Sequence, residues 1–341
     1  MFAVIDSGTT TTRIYIVNEN GDIVASGRTK VGVRDTSITG SRDKLRNGVA
    51  KLFYDVLSEN GISDDDVSFA ISSGMITSEI GLIEIPHIVA PAGIEQLTKG
   101  MLKVEDPNVL PIGRPVYFIR GIRNNYPQPA TIRNLPCIDF MRGEETQCIG
   151  IMTKRNLVYP CNLVALSSHT KIMYINENRE IVFSKTTISG QIYEALVAST
   201  NIGKSIVDCT GEQSGGYSYE ELVEVAMDIV FKEGFIRSCM APRFMQVLLN
   251  TDSSERKTFI DAAIASEDLY AFKDMRARGY ASRRYILYGQ EERCKMYKYM
   301  LEKTYGDEIE VEIIYKKEDL DRMTTDGAIA IASNLIKTEL N

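Results

Sequence analysis

The first thirty residues alternate short apolar runs with small polar turns. Val4-Ile5 and Ile14-Tyr15-Ile16-Val17 are rich in the β-branched and aromatic residues that strands favour. The residues between them, 6–13, are mostly small or polar and carry many backbone and hydroxyl donors. This pattern predicts two strands joined by a tight polar turn.

Apolar positions further along the chain predict alternating helices and strands. Leu45, Val49 and Leu52 begin a helical stripe inside 41–60, with Ser41 as N-cap and Gly61 as the stop. Asp139 is interpreted as the N-cap of a helix that runs to about Met152. Further strands are predicted at 67–72, 116–119, 285–289 and 310–315. Further helices are predicted at 188–199, 219–231, 242–249, 256–271, from just after 289 to about 305, and at 325–340. The alternation is typical of an α/β fold.

An internal repeat is the strongest organisational feature. Residues 12–26 align without a gap on residues 170–184, an offset of 158, and eight of the fifteen positions are identical, where average composition would give roughly one match. The identical pairs are Thr12/Thr170, Ile14/Ile172, Asn18/Asn176, Glu19/Glu177, Asn20/Asn178, Ile23/Ile181, Val24/Val182 and Ser26/Ser184. Each copy predicts a β-meander that opens a domain, so the chain is expected to hold two similarly built domains; convergence of two hairpins is the alternative.

Length and composition agree with two domains. A chain of 341 residues with 44% hydrophobic and 25% charged residues is typical of a globular protein with more than one core. We expect a first domain at 1–155, a second at 160–324, and a last helix at 325–341 that packs back on the first.

Charge and cysteine content exclude several classes of protein. The net charge of -7 argues against general binding to nucleic acid or to an anionic membrane surface. The six cysteines form no Cys-x-x-Cys pair and there are only two histidines, which disfavours a zinc site and a disulfide framework. No leader segment or 18-residue apolar run is found, so a cytoplasmic location is expected.

The polar turn carries groups suited to phosphate. Gly8 lets the backbone approach a ligand closely, and Asp6 is an acceptor-only group that could hold a hydrated Mg²⁺ beside the phosphates. A plain Gly/Thr hairpin with an Asp-stabilised turn is the alternative, because short glycine motifs are weak signals.

Strand-to-Gly/Thr turns that open two related domains resemble the sugar kinase, heat-shock and actin superfamily. Five motifs also stand in the order and spacing of the 2-dehydro-3-deoxygalactonokinase family, and Met-Arg-Gly-Glu-Glu-Thr-Gln is the most specific of them. The motifs are Asp6-Ser7-Gly8-Thr9-Thr10-Thr11-Thr12-Arg13, Ser73-Gly74-Met75-Ile76, Pro91-Ala92-Gly93-Ile94, Met141-Arg142-Gly143-Glu144-Glu145-Thr146-Gln147 and Ser168-His169-Thr170-Lys171. The resemblance covers nearly the whole chain.

The resemblance implies two duplicated ribonuclease H-like domains around an interdomain cleft, and transfer of the γ-phosphoryl of ATP to a hydroxyl of a 2-oxo-3-deoxy sugar acid with Mg²⁺ as cofactor. The family's acid is 2-dehydro-3-deoxy-D-galactonate, phosphorylated at O6. Asp6 would hold the metal. The nucleotide and phosphate candidates are Asp6, Gly8, Thr9, Thr10, Thr11, Arg13, Ser167, Ser168, His169, Lys171 and Gly289.

Three carboxylates are candidates for the base that takes the hydroxyl proton: Asp139, Glu144 and Glu145. The sequence does not separate them, and at least one is expected to serve only in capping. We expect Gly74, Met75 and Arg142 to contact the substrate. The alternative for Met75 is packing in the core, and the alternative for Arg142 is an ion pair with Glu145.

Departures from the family pattern leave two alternatives open. Ser7 stands in place of a common Trp, Ser167 in place of Gly, and Gln191 in place of Glu. A serine at 167 narrows the approach of phosphate to the backbone. A non-catalytic nucleotide or sugar-acid sensor, or a kinase for a different sugar acid, therefore remains an alternative. Whether the protein forms a homodimer is also left open by the sequence.

Overall fold

The protein is represented by a computed structural model that describes residues 1–207 and 212–339. Cys209 lies outside these residues. Two compact units are formed: one by Met1–Leu157, Ile175–Ser184 and the segment from Asp321 onward, the other by Val158–Tyr174 and Lys185–Leu320. The domain limits given above, and the cleft, stay predictions.

The strands of the described residues form three sheets. They are β1 (Phe2–Ser7), β2 (Thr12–Val17), β3 (Ile23–Thr29), β4 (Ala70–Ser73), β5 (Ile88–Val89), β6 (Leu102–Val104), β7 (Val116–Phe118), β8 (Ile122–Arg123), β9 (Phe140–Met141), β10 (Cys161–Leu166), β11 (Thr170–Ile175), β12 (Ile181–Thr187), β13 (Arg284–Gly289) and β14 (Glu310–Ile314). The sheet orders are β3-β2-β1-β4-β7-β6, β12-β11-β10-β13-β14 and β5-β8-β9.

The five strands of the second sheet stand in the same order as the first five strands of the six-stranded sheet, in which β6 is an additional edge strand. In the first, β2 is antiparallel to β1 and β3, while β1, β4 and β7 run parallel. In the second, β10, β13 and β14 run parallel in the equivalent positions. An order of three meander strands followed by two parallel strands is that of a ribonuclease H-like domain, so the predicted α/β duplication is confirmed.

The helices cover the sheets and connect their strands. They are α1 (Val33–Thr39), α2 (Asp43–Glu59), α3 (Ile94–Gly100), α4 (Glu144–Lys154), α5 (Ser189–Ser199), α6 (Gly203–Ile206), α7 (Tyr219–Glu233), α8 (Phe235–Ser238), α9 (Ala241–Leu248), α10 (Ser253–Ala277), α11 (Glu291–Tyr305) and α12 (Lys317–Glu339). None of the helices in the described ranges is both long and apolar enough to cross a membrane.

The predicted start of α4 is wrong, and the last helix, predicted from 325, begins earlier, at Lys317. The helix expected from Asp139 begins at Glu144, after Gly143 at φ 116°. Phe140 and Met141 form β9 instead, paired antiparallel with β8. Apolar residues at 138, 140 and 141 fit the start of a helix by spacing, but a distant strand partner decides their conformation.

The repeat is reproduced in the turns of both hairpins. The Asn18 Oδ1 accepts the backbone N–H groups of Asn20 and Asp22, each at 2.9 Å. In the second copy, the Asn176 Oδ1 accepts those of Asn178 and Glu180, at 3.0 and 2.9 Å. These matching hydrogen bonds show that the shared Asn-Glu-Asn sequence forms the same type of turn in both hairpins.

Glycines let α4 and α12 cross at close range in the first unit. A Cβ at Gly327 would lie 1.8 Å from the Thr146 carbonyl oxygen, and one at Gly150 would lie 2.1 Å from that of Met323. The last helix is thereby held against the helix that begins at Glu144.

We expect Gly327→Ala to lower the free energy of unfolding by about 1–3 kcal/mol, because α4 and α12 must separate to admit the methyl group. Urea denaturation of the variant and of the wild type measures the difference. Ser333→Ala, half-buried in the same helix, is the control and should change stability by less than about 0.5 kcal/mol. Equal stabilities for wild type and Gly327→Ala would contradict the close crossing.

Candidate active site

The turn after β1 carries three successive backbone N–H donors, those of residues 9–11. Its carbonyl groups point inward: Gly8 O accepts from Val33 N at 3.1 Å, and Thr9 O accepts from Arg34 N at 2.9 Å. The N–H groups of residues 9–11 have no hydrogen-bond partner among the residues that the structure describes. Residues 8–10 are exposed. Successive outward N–H groups of this kind form an anion-binding surface.

Gly32 supports this turn and was missed by the sequence analysis. A Cβ at Gly32 would lie 2.5 Å from Thr9 O and 2.6 Å from Gly8 O. A Cβ at Gly8 would meet nothing closer than Thr11 O at 3.6 Å, so the folded turn does not itself require glycine at position 8. Glycine is therefore sterically required at position 32, which packs against the turn, and not at position 8 within it.

Asp6 and Arg13 face each other at the end of β1. The Arg13 Nη1 lies 3.5 Å from the Asp6 Oδ2, and its Nη2 lies 4.0 Å from Asp321 Oδ1 on α12. Burial raises the pKa of Asp6 above its ordinary value, and the Arg13 charge acts against that rise. Arg13 thus balances two carboxylates rather than standing alone as an anion-binding cation.

The donor set fits a magnesium ion that is held mainly by phosphate and water. No cluster of three or more His, Cys, Asp or Glu side chains suited to a metal occurs in residues 1–207 and 212–339. Mg²⁺ commonly keeps several waters and takes one or two carboxylates plus phosphate oxygens. Asp6, whose side chain is 21% exposed beside the donor-rich turn, fits that role.

Three elements of the first unit meet beside Asp6. In the parallel pair β1 and β4, Asp6 stands opposite Ser73. Gly74 follows at φ 84°, and a Cβ on Gly143 would lie 3.5 Å from its Cα. The start of α4 is therefore brought to the carboxyl ends of β1 and β4. Met75 packs against the core of this unit.

The Arg142 guanidinium is already occupied by hydrogen bonds to backbone carbonyl groups. Its Nη1 donates to Thr77 O at 2.6 Å and to Thr77 Oγ1 at 2.8 Å, and its Nη2 donates to Ile85 O at 3.0 Å. Burial lowers the pKa of Arg142, and nearby carboxylates, led by Glu145, act in the opposite direction. The guanidinium holds the segment 77–85 to the start of α4. Its predicted contact with substrate stays a prediction.

Glu145 is a fully buried carboxylate. Both of its oxygens accept from Gly143 N, at 2.9 and 2.8 Å, and Oε1 also accepts from Thr146 Oγ1. Burial, and secondly the charge of Glu144, raise the pKa of Glu145 to about 7. The side chain closes the first turn of α4 and is hidden from solvent.

Glu144 and Asp139 are less buried than Glu145. Glu144 is half-buried at the first position of α4, and its Oε2 accepts from Arg142 N at 3.2 Å. Asp139 lies ahead of β9, where its Oδ1 accepts from Phe140 N at 2.7 Å and its carbonyl accepts from Asn124 N. Of the three, Glu144 is the one that lies at the start of the helix and is only partly buried.

The second unit repeats the donor-rich turn between β10 and β11. Ser168 O accepts from Gln191 N at 3.1 Å, while the N–H groups of Ser168 and His169 find no partner in the described part of the chain. A Cβ at Gly190 would lie 2.4 Å from Ser167 O. Gly190 is separated from Gly32 by the same 158 residues that relate the two hairpins, so the supporting glycine is also duplicated.

Arg293 supports the second turn and was missed by the sequence analysis. Its guanidinium donates to Ser167 O and, at 2.9 Å, to Thr170 Oγ1. Tyr297 Oη donates to the buried carboxylate of Asp268, which also accepts from Ser189 Oγ at 2.6 Å. These bonds fix the turn to α5, α10 and α11.

The remaining candidates of the second unit are placed around the same turn. His169 Nδ1 lies 3.2 Å from Ser168 Oγ. Lys171 is buried, with its Nζ donating to Thr186 Oγ1 at 2.7 Å, so it is no exposed strand-end cation. Gly289, at φ 150°, ends β13 where a Cβ would lie 2.3 Å from Leu166 O. Glycine is sterically required there.

Two ribonuclease H-like units, each with a donor-rich turn after its first strand, define the sugar kinase, heat-shock and actin superfamily. The family model described as 2-keto-3-deoxy-galactonokinase matches residues 6–327, and the chain belongs to this family. The resemblance drawn from the motifs is thereby confirmed.

Individual relatives are distant. A candidate 2-dehydro-3-deoxygalactonokinase of Rhizobium meliloti (strain 1021), DgoK1, is 22% identical over 223 residues, which is 65% of this chain and 64% of that protein. The match therefore spans less than two thirds of the relative's length. A crystal structure of a candidate 2-dehydro-3-deoxygalactonokinase from Sinorhizobium meliloti superimposes with a TM-score of 0.73 at 17% identity, covering 98% of this chain and 97% of that one. This similarity shows the shared fold.

Proposed function

We propose that the chain is an ATP-dependent kinase that transfers the γ-phosphoryl group of ATP to a hydroxyl of a 2-oxo-3-deoxy sugar acid, with Mg²⁺ as cofactor. The proposed substrate is 2-dehydro-3-deoxy-D-galactonate, phosphorylated at O6. The observation that carries the proposal is the pair of donor-rich turns, whose N–H groups at 9–11 and 168–169 have no partner within residues 1–207 and 212–339. We place the reaction in the cytoplasm, where ATP is supplied; the homodimer stays a prediction.

Phosphoryl transfer needs positioning and charge stabilisation more than covalent participation by the protein. The backbone donors at 9–11 would bind phosphate oxygens, with Asp6 and Arg13 beside them. Mg²⁺, when bound next to Asp6, would neutralise phosphate charge. In the transfer, the sugar hydroxyl oxygen bonds to the γ-phosphorus, the bond to the β–γ bridging oxygen breaks, and ADP leaves.

The hydroxyl proton needs an acceptor that reaches the substrate, and we propose Glu144. Geometry comes before pKa in this choice. Glu145 has a pKa of about 7, which suits a base, but it is 0% exposed and both its oxygens are bonded to Gly143. Glu144 is half-buried and is the first residue of α4, directly after Gly143, whose added Cβ would lie 3.5 Å from the Gly74 Cα.

Turnover decides between the kinase and a sensor on the same fold. ADP release is measured with the full chain, ATP, Mg²⁺ and a panel of 2-oxo-3-deoxy sugar acids, and turnover of at least one acid is expected. Binding of ATP with no turnover of any acid would instead establish a sensor.

Gly32→Ala tests the first turn. We expect ATP to bind about tenfold more weakly, since the added methyl displaces the carbonyls of residues 8 and 9, and each misplaced N–H donor costs on the order of 1 kcal/mol. Isothermal titration with ATP and Mg²⁺ measures the affinity. Lys30→Ala, an exposed neighbour, is the control and should bind as the wild type does. Unchanged affinity in Gly32→Ala would remove the first turn from the nucleotide site.

A further inference from the structure

Arg120 lies at the same edge of the first sheet as Asp6. It follows β7, which runs parallel to β4, as β4 does to β1. The preceding Ile119 N donates to Ser72 O on β4 at 2.8 Å. The following Gly121 is so close to β9 that a Cβ there would lie 2.2 Å from Met141 O. Arg120 is thus held between the end of β4 and the segment that leads into α4.

The Arg120 guanidinium has no partner among the described residues. It makes no hydrogen bond or ion pair there, and its Nε is buried. An unsatisfied buried donor costs about 1–3 kcal/mol, and more when it is charged, so native structures seldom keep one without a function.

Neighbouring arginines differ from Arg120 in this respect. Arg142 binds Thr77 and Ile85, and Arg123 donates to Asn124 O and stacks on the Tyr126 ring. Arg142 cannot turn to a ligand without giving up three hydrogen bonds. Arg120 would lose no hydrogen bond to the described residues by binding a ligand.

We propose that Arg120 binds the carboxylate of the acid substrate and so determines specificity for a sugar acid over a neutral sugar. The proposal rests on the proposed function, because it names the group that recognises that substrate. A guanidinium binds a carboxylate through two parallel N–H···O bonds. The carboxyl edge of parallel strands is where ligands bind in open α/β sheets, and the glycines at 74 and 143 meet at this edge.

Arg120→Gln separates charge recognition from folding. The variant and wild type are assayed with 2-dehydro-3-deoxy-D-galactonate and with its neutral carboxamide. We expect kcat/KM for the acid to fall about 10²-fold, since truncating one partner of a buried charge pair costs about 30-fold or more. In contrast, kcat/KM for the carboxamide and KM for ATP should change less than about threefold. Equal losses on the acid and the carboxamide would overturn the proposal, because they would show a structural role.

A binding measurement keeps this test independent of turnover. In the wild type the acid alone should raise Tm, and in Arg120→Gln that rise should disappear while the rise caused by ATP persists. Arg123→Gln is the matched control and should keep the response to the acid. A wild type that binds the acid through Arg120 without turning it over would overturn the kinase function and keep this inference. An acid-induced rise that survives in Arg120→Gln would overturn this inference and leave the kinase function standing.

Discussion

Replacing Glu144 by Gln is expected to lower kcat for the sugar acid about 10²–10⁴-fold, with KM for ATP changed by less than about threefold. The amide keeps the size of the side chain and an acceptor for the Arg142 N–H, so the fold should persist. It cannot take a proton from the substrate hydroxyl. Steady-state ADP release at saturating ATP measures the effect.

Two further variants make this result specific to one carboxylate. Glu84→Gln removes a neighbouring negative charge that also acts on Arg142 and should leave kcat within about threefold of the wild type. Asp139→Asn removes the alternative base. Near-normal kcat in Glu144→Gln together with a loss in Asp139→Asn would transfer the role of base to Asp139.

The duplicated fold could be predicted because its signals are local and occur twice. The two hairpins consist of short apolar runs separated by polar turns, and both copies contain Asn-Glu-Asn, which makes the same side-chain bonds in each turn. Extending the offset of 158 by six residues beyond Ser26 would also have paired Gly32 with Gly190. That signal was present in the sequence but lay outside the aligned segment.

The wrong helix start shows where local patterns stop being sufficient. Phe140 and Met141 are strand residues only because β8, some twenty positions earlier in the chain, pairs with them. Once they are in a strand, Gly143 reverses the chain at positive φ and the helix begins with the paired glutamates. The sequence identified the right acidic motif but could not assign Asp139 to a position outside the helix.

The roles of the arginines depend on contacts between distant residues and could not be predicted. Arg142 stands in the most specific motif, yet its guanidinium is bonded to residues 77 and 85. Arg293 and Arg120 stand in no recognised motif. Arg293 supports a turn, while the Arg120 guanidinium has no partner in the part of the chain that the structure describes. Each difference follows from which backbone carbonyls the fold brings near the guanidinium, and sequence spacing carries no such information.

Glu145 should make stability fall as the pH rises through neutrality. Its folded pKa of about 7 lies above the ordinary value of 4.5 that applies to the unfolded chain. Between these values the folded state binds more protons than the unfolded state, so the stabilisation is complete below about pH 4.5 and is lost as the pH passes about 7. The full difference is on the order of 3 kcal/mol.

Glu145→Gln is expected to remove this dependence, because the neutral amide can still accept from the Gly143 N–H and never carries a buried charge. Urea denaturation of both proteins at pH 5.5, 7 and 8.5 gives the measurement. The variant should gain stability relative to the wild type as the pH rises, and the double difference cancels titration of the other carboxylates. Parallel stability curves would show that Glu145 is already ionised at pH 5.5. The rise of its pKa would then have no effect on folding, and Glu145 would lose the pKa near 7 that suits a base, in addition to being buried.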